Sequence, residues 1–431
     1  MTKLYRLLRI TPTSLVCSCF LLASSLSQAD QANPYDQAAD WTRSVQLSAT
    51  VQESPPQITL SWDPDEYGST NYLIYRKSQS STSWGAPIAS LDGSALSYSD
   101  PNVSVGSTYE YQVIEKNATY GYSSYGYIYS GIDANLIESR GALILIVATN
   151  STAGLDSELA QYESDLIGDG WQVIRHDVSS SDSPASVRSL IVADYNADPA
   201  HVNAVFLFGH VPILQSGEIN YDGHGDRPMP ADGYYGDMDG DWSSSPSYFP
   251  SEIKLMVGRV DFANMPATAA PGTWPDETQL LGNYLKKDHR WRFGQITVPR
   301  RALIAERFGI LNGIECRASS GYRNLAPFVG LGNTELADIS NDADPANRWI
   351  SKLSSGAYLW TYGNGGGQDS SISELGTHGI FNDVWSTDLY SQDAKAVFFM
   401  LEGSHFGNWD HSDDIVRAVL AMPTMGLICC N

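Results

Sequence analysis

The sequence predicts an all-β sandwich at the N-terminus, followed by an α/β domain with a mostly parallel sheet. Two patterns predict this order. Within residues 41–130, apolar and polar residues alternate with a period of two between turn-forming clusters. From residue 141 onward, continuous apolar runs alternate with segments of helical spacing. We expect the two domains to separate within residues 131–141.

The composition excludes several classes of function. The 431 residues include 26 Lys and Arg against 49 Asp and Glu, which gives a formal net charge of −23. A chain this acidic repels phosphate backbones and anionic lipid headgroups, so we expect no nucleic-acid partner. Because 42% of the residues are hydrophobic, the chain can bury cores and is not disordered throughout.

Residues 1–29 have the three-part pattern of a secretory signal peptide. Three cations precede an apolar stretch over residues 15–26, and Ser27–Ala29 places small residues at a cleavage site. No other stretch is long and apolar enough to span a bilayer. We therefore expect cleavage near Ala29 and a secreted, periplasmic or cell-surface protein.

Three cysteines follow the predicted signal peptide: Cys316, Cys429 and Cys430. Adjacent cysteines rarely pair with each other, because the bridge strains the peptide between them. Two interpretations stay open, one bridge from Cys316 to either neighbour or no bridge at all.

The strands of the N-terminal domain follow from alternation. In residues 57–62 the apolar side chains Ile58, Leu60 and Trp62 share one face. Further strands are predicted near residues 44–51, 72–76 and 109–114, and Asp, Gly, Pro and Ser clusters separate them. About seven short strands in roughly 90 residues are typical of a β-sandwich.

The spacing of these segments also carries a resemblance. Residues 58–62, 72–76, 98–101 and 106–113, with a core Trp and a Gly-x-x-Tyr-x-Tyr strand, resemble a fibronectin type III module. The resemblance covers residues 41–130. It implies a spacer or binding module without catalytic residues.

The α/β domain is predicted from alternating strands and helices. Residues 142–148 form a continuous apolar run, as expected of a strand buried on both faces. Ser183 and Pro184 provide the N-cap and first residue of a helix. The remaining elements are strands near residues 171–176, 204–209, 252–260, 301–306, 357–362 and 396–401, and helices near 155–167, 184–195, 276–293, 345–353 and 413–421. The chain ends in an apolar run at 426–430, which leaves open a truncation of this domain at its C-terminus.

Two late segments, Tyr358–Gly367 and Val397–Asp410, each combine a strand with a glycine-containing loop. An acidic Tyr-Gly loop at 232–237, a Val-Gly-Arg strand at 257–259 and a helix rich in Tyr, Lys and Arg at 283–292 precede them. This order resembles the gingipain-type cysteine peptidases over residues 141–431. The resemblance implies a caspase-like α/β fold, with a catalytic His and Cys at the ends of the two late strands.

At the two positions of that dyad, this chain has Asn364 and Ser404. Asparagine has no titratable nitrogen and cannot act as a general base. A serine without an aligned base is a weak nucleophile. We therefore predict a catalytically degenerate protein, a pseudoenzyme that binds an extracellular protein or polysaccharide. The alternative is an active endopeptidase in which His378 is the base for Ser404.

Residues 213–250 form an insertion rich in Gly, Asp, Tyr and Pro, and long insertions of this kind are usually functional. Acidic oxygens at alternate positions suit calcium, and the resemblance implies calcium-bearing loops. We expect calcium as a cofactor, with a solvated acidic loop as the alternative. Its predicted ligands are Asp232, Asp237, Asp239 and Asp241. A further alternative is a metal-dependent hydrolase within Asp222–Asp241, centred on His224, Asp226 and the aspartates of residues 237–241.

Overall fold

The computed structural model describes most of the chain after the predicted signal peptide. The described residues are 44–65, 67–78, 81–134, 139–219, 225–265, 275–306, 310–311, 315–316, 318–337, 345–376 and 382–430. The signal peptide predicted over residues 1–29 and the candidate base His378 lie outside these ranges.

The N-terminal region consists of two antiparallel sheets that share one core. Its strands are β1 (Ser48–Gln52), β2 (Gln57–Ser61), β3 (Asn71–Lys77), β4 (Ala89–Asp92), β5 (Ser97–Asp100), β6 (Thr108–Asn117) and β7 (Tyr122–Gly131). The sheets have the orders β1-β2-β5 and β4-β3-β6-β7. Ile58 and Leu60 of β2 meet Tyr72 and Ile74 of β3 in this core, beside Trp62. The period-two alternation therefore predicted the inward face correctly.

The first parallel sheet follows directly. It contains β8 (Gly141–Ala148), β9 (Trp171–Val178), β10 (Val202–Phe208) and β11 (Met256–Val260) in the order β11-β10-β8-β9. The helices α1 (Asp156–Gly168) and α2 (Pro184–Ala197) connect its first three strands. Ser183 accepts a hydrogen bond from the backbone N–H of Ser186, which confirms the predicted N-cap. β9 pairs with one edge of β8, and β10 then pairs with the other edge. The direction in which strands are added to the sheet therefore reverses between β8 and β10.

The second parallel sheet carries the late segments. The remaining strands are β12 (Ala302–Glu306), β13 (Ile310–Leu311), β14 (Glu315–Cys316), β15 (Thr334–Leu336), β16 (Tyr358–Asn364), β17 (Gly367–Gln368), β18 (Ser371–Ile372), β19 (Val384–Trp385), β20 (Ala396–Glu402) and β21 (Ile428–Cys430). The sheet order is β15-β12-β16-β20-β21. The remaining described helices are α3 (Glu277–Arg292), α4 (Ala318–Val329), α5 (Trp349–Ser355), α6 (Ser386–Ser391) and α7 (Ile415–Ala421).

One apolar core joins the two parallel sheets. Leu145 and Phe208 of the first sheet belong to the same buried cluster as Leu303 and Phe399 of the second. The α3 helix crosses this junction with Lys287, whose Nζ donates to the carbonyl oxygens of Leu420, Met422 and Met425 at 2.6, 2.7 and 2.8 Å. Burial lowers the pKa of Lys287 to about 7. The amine therefore fastens the end of α7 to the junction through hydrogen bonds rather than through a carboxylate.

None of the helices in the described ranges is long and apolar enough to cross a membrane.

Candidate functional site

The carboxyl ends of three neighbouring strands form one candidate site. Glu306 of β12, Asn364 of β16 and Glu402 of β20 lie in register at this edge of the second sheet. Ser404 follows two residues after the end of β20. Open α/β sheets bind their ligands at such carboxyl ends. The two positions singled out in the sequence therefore belong to adjacent strand ends.

Asn364 is fully buried, and its amide nitrogen is committed to neighbouring oxygens. Its Nδ2 donates to Glu402 Oε2 at 2.8 Å and to Tyr362 Oη at 3.2 Å. Tyr362 Oη donates to the same Glu402 oxygen at 2.8 Å. Asn364 Oδ1 is buried and has no hydrogen-bond partner among the described residues. This strand end therefore carries a buried amide that is fixed by its neighbours and has no titratable group.

Ser404 lies against a glycine loop that extends from β16. A Cβ added at Gly367 would come within 2.0 Å of the carbonyl oxygen of Ser404, so only glycine allows this approach. The backbone N–H of Gly365 donates to the carbonyl of Glu402 at 3.1 Å, which fixes the two loops together. Among the described contacts there is no hydrogen bond between Asn364 and Ser404. The third predicted site residue, His378, cannot be placed because it lies outside the described ranges.

A second cluster, which the sequence did not predict, lies at the carboxyl edge of the first sheet. His210 follows β10 and Asp261 follows β11, and His210 Nδ1 lies 2.9 Å from Asp261 Oδ2. Asp261 is buried; burial alone would raise its pKa, but the hydrogen bond from His210 and the charges of Arg259 and Arg417 lower it. The hydrogen bond to Asp261 raises the pKa of His210 above its usual value, against the opposing effect of burial.

This pair makes stability depend on pH. The pKa of His210 is raised above 6.5 in the folded state, so protonated His210 stabilises the fold. This stabilisation is fully present below about pH 6.5 and is lost as the pH rises through the folded-state pKa. The neighbouring charged groups that act on it are Asp261, Glu277 and Arg259. We expect His210→Gln to lower the unfolding free energy more at pH 5.5 than at pH 8.5, as measured by urea denaturation.

The matched control for this prediction is His201→Gln. The His201 side chain is 71% exposed and pairs with the surface carboxylate of Asp198. Such exposed pairs contribute little to the free energy of unfolding. A difference between wild type and His210→Gln that stays constant, or grows, with rising pH would contradict the assignment.

The four predicted calcium ligands do not gather into one site. Asp232 accepts hydrogen bonds from Nε and Nη2 of Arg259, at 2.8 and 2.9 Å. Asp237 has no exposed surface and accepts from Gly240 N, Trp242 Nε1 and Ser251 Oγ, among others. Burial alone would raise the pKa of Asp237, but these hydrogen bonds lower it.

The other two aspartates point to solvent rather than to a shared centre, with Asp239 67% exposed in its side chain and Asp241 exposed. Within the described ranges, no group of three or more His, Cys, Asp or Glu residues is arranged to hold a metal ion. Asp222 and His224 lie outside those ranges. Calcium binding by this insertion stays a prediction.

The insertion lies beside the loop that follows Ser404. Gln215 Nε2 donates to Asp410 Oδ2 at 2.8 Å, and Arg227 Nε donates to Asn408 Oδ1 at 3.2 Å. The guanidinium of Arg259 lies over the ring of Trp409, 5.1 Å from its centroid. The insertion therefore forms one wall of the region around the candidate site.

No protein-family profile and no curated protein matches the chain. Among solved structures, the chain is similar to the Arg-specific cysteine proteinase gingipain R, with 12% identity and a TM-score of 0.45 over 67% of this chain and 62% of that one. It thus covers less than two thirds of the length of gingipain R.

Shorter stretches of the chain are similar to two further structures. One is the FN3 domain of human collagen XX, with 22% identity and a TM-score of 0.17 over 20% of this chain and 88% of that one. The other is pectate lyase PelI from Erwinia chrysanthemi, with 20% identity and a TM-score of 0.18 over 24% of this chain and 32% of that one.

Proposed function

We propose that the chain is a secreted, gingipain-like member of the peptidase class that has lost catalysis and binds an extracellular protein or surface polymer. The observation that carries the proposal is the environment of Asn364. Its amide is buried and donates to Glu402 and Tyr362 at the strand end where a peptidase of this arrangement needs a base. Without a base, the hydroxyl of Ser404 is a poor nucleophile at neutral pH.

The two N-terminal sheets fit a supporting role in this proposal. The finer assignment, a fibronectin type III sandwich, rests on the sequence resemblance over residues 41–130 and is part of the proposal. Secretion rests on the signal-peptide pattern of residues 1–29. Such a module would present the α/β domain to a partner without taking part in chemistry.

One alternative keeps catalysis. Ser404 lies at the carboxyl edge of the sheet, against the glycine loop, which is where a nucleophile of an α/β enzyme belongs. In that case His378 would supply the base. A general base contributes about 10²–10⁴ in rate, so a working Ser404–His378 pair would be plain in a cleavage assay.

The test is cleavage of a mixed library of internally quenched fluorogenic peptides by the purified chain. We expect no turnover above background, and no change on Ser404→Ala or His378→Ala. Ser391→Ala and His411→Ala are the matched controls, since Ser391 is exposed on α6 and His411 is held by Asp369 at 2.7 Å. Cleavage that disappears in Ser404→Ala and His378→Ala but survives in both controls would establish the Ser/His enzyme instead.

A further inference from the structure

An apolar pocket opens between the insertion and the loop that follows Ser404. Its volume is about 310 Å³, within the range of small-ligand sites. Met229, Trp242 and Phe249 contribute one side, and Gly407 and Trp409 contribute the other. Gly407 and Trp409 belong to the loop that follows Ser404, so the pocket and the candidate site share this loop.

Aromatic rings line the pocket and stay uncovered. Tyr248 is 74% exposed and Phe249 is 57% exposed, although exposing a large ring to water is unfavourable. Trp242 is buried and meets Phe249 edge-on, with ring centroids 6.0 Å apart. Exposed rings that rest on a packed ring form a surface for a second apolar partner.

The polar network around Asp237 holds the pocket in shape. Trp242 Nε1 donates to Asp237 Oδ2 at 3.1 Å, and the backbone N–H of Ser251 donates to the same oxygen at 3.2 Å. These contacts fix the segment between them, on which Tyr248 and Phe249 lie. The pocket is thus preorganised, which reduces the entropy lost on binding.

Two glycines determine how closely the walls pack. A Cβ at Gly233 would lie 2.3 Å from Phe249 Cε1, and a Cβ at Gly407 would lie 2.0 Å from Met229 Cε. At both positions the missing Cβ leaves room for the neighbouring side chain, Phe249 or Met229. A residue with a Cβ would displace that side chain and change the shape of the pocket.

Charge narrows the class of ligand. The one carboxylate among the described lining residues is Asp232, which no Lys, Arg or His accompanies in the lining, and both of its oxygens already accept hydrogen bonds from Arg259. A charged ligand would lose hydration here without gaining a free counter-charge. The pocket therefore favours an uncharged occupant, even though the whole chain carries a net charge of −23.

The few polar side chains of the pocket favour a peptide side chain over a sugar as the ligand. Three side-chain hydroxyls of the described residues line the pocket, those of Ser216, Ser247 and Tyr248. Ser216 Oγ already donates to the carbonyl of Gly217 at 2.7 Å and accepts from the N–H of Met229 at 3.0 Å. A saccharide presents several hydroxyls that need partners when buried, and each unpaired one costs free energy. An aromatic or long aliphatic side chain has no such need.

From these contacts we infer that the pocket binds an aromatic or large aliphatic side chain of a protein or peptide ligand. The inference rests on the proposed function in one respect, namely that the ligand is a polypeptide. It names the feature of that ligand which this chain selects: one uncharged, bulky side chain, held next to the loop that carries Ser404.

The test uses three capped tripeptides, acetyl-Gly-Phe-Gly-amide and the same peptide with Ala or Asp in the centre, together with cellohexaose. Dissociation constants are measured by ligand-observed NMR with the full chain. We expect the Phe peptide to bind at least about tenfold more tightly than the Ala and Asp peptides and than the sugar, because it alone fills the pocket without buried polar groups.

Variants locate the binding. Phe249→Ala should weaken binding of the Phe peptide by about tenfold, as expected when an aromatic anchor is removed. Gly233→Ala should weaken it as well by displacing the ring of Phe249 without removing it. Phe293→Ala is the matched control, since Phe293 is 62% exposed at the end of α3 and does not line the pocket, and should leave binding unchanged.

Equal affinity for the Phe and Ala peptides, or insensitivity of the Phe peptide to Phe249→Ala, would overturn the inference. Tighter binding of cellohexaose would overturn it in favour of a carbohydrate. The proposed loss of catalysis fails separately: new NMR resonances from a cleaved Phe peptide would refute it while leaving the pocket assignment intact.

Discussion

Trp349→Ala should lower the free energy of unfolding by about 4 kcal/mol, in the range typical of large aromatic residues removed from a core. Trp349 has no exposed surface, and its ring packs on Phe399 at a centroid distance of 6.1 Å. Its Nε1 donates to Thr361 Oγ1 at 2.7 Å, and Thr361 Oγ1 donates to the carbonyl of Leu303 at 3.0 Å. The substitution leaves a cavity beneath β16 and removes the donor that Thr361 faces.

Urea denaturation, followed by the far-ultraviolet circular dichroism of the α/β transition, measures this effect. Trp349→Phe retains most of the ring and should lose about 1–2 kcal/mol, mainly through the hydrogen bond. Trp385→Ala is the comparison, because Trp385 is 48% exposed, and should cost less than Trp349→Ala. A loss below 1 kcal/mol in Trp349→Ala would show that the ring does not support β16.

The order of elements could be predicted because each carries its own local signal. The apolar run at 142–148 became β8, and the Ser183–Pro184 start became the beginning of α2. The strand predicted near 44–51 begins at Ser48 instead, since the first residues of that stretch make a bridge to Tyr125 rather than a regular strand. Such boundaries depend on a partner strand that local periodicity does not reveal.

The α4 helix had no such signal. Its sequence contains Pro327 within the helix, which local propensity disfavours, and Ser and Gly near its start. Tertiary packing decides its conformation: Tyr322, Leu325 and Val329 lie on Ile304 of β12 and Tyr362 of β16. An apolar face that fits a sheet compensates for weak local preference, and only the folded sheet shows that it exists.

The site could be predicted in part, for a related reason. Asn364 and Ser404 come at the ends of recognisable strands, so the carboxyl-end rule places them at one edge of the sheet. The pairing of Asp232 with Arg259 was not predictable, because an acidic loop gives the same pattern whether its partner is a cation in solution or an arginine on the adjacent strand. The contact between His210 and Asp261 likewise requires that β10 and β11 be neighbours.

The double change Asn364→His with Ser404→Cys should create a thiol that alkylates faster than the thiol of Ser404→Cys alone. Glu402 Oε2 already accepts from the amide at position 364 at 2.8 Å, so it can accept an imidazole N–H there and orient the ring. An imidazole beside the cysteine favours the thiolate, which is the reactive form. We expect iodoacetamide to modify position 404 on the order of tenfold faster in the double variant.

Peptide mass mapping after timed exposure to iodoacetamide at pH 7 gives the rate at position 404 separately from the native cysteines. Burial raises the pKa of Cys429, so its labelling provides a slow internal reference in every sample. Ser404→Cys with Asn364 retained is the matched control. Equal rates at position 404 in the single and double variants would mean that the two side chains do not face each other. The proposed absence of catalysis would then have its origin in the geometry of the strand ends rather than in the identities of residues 364 and 404.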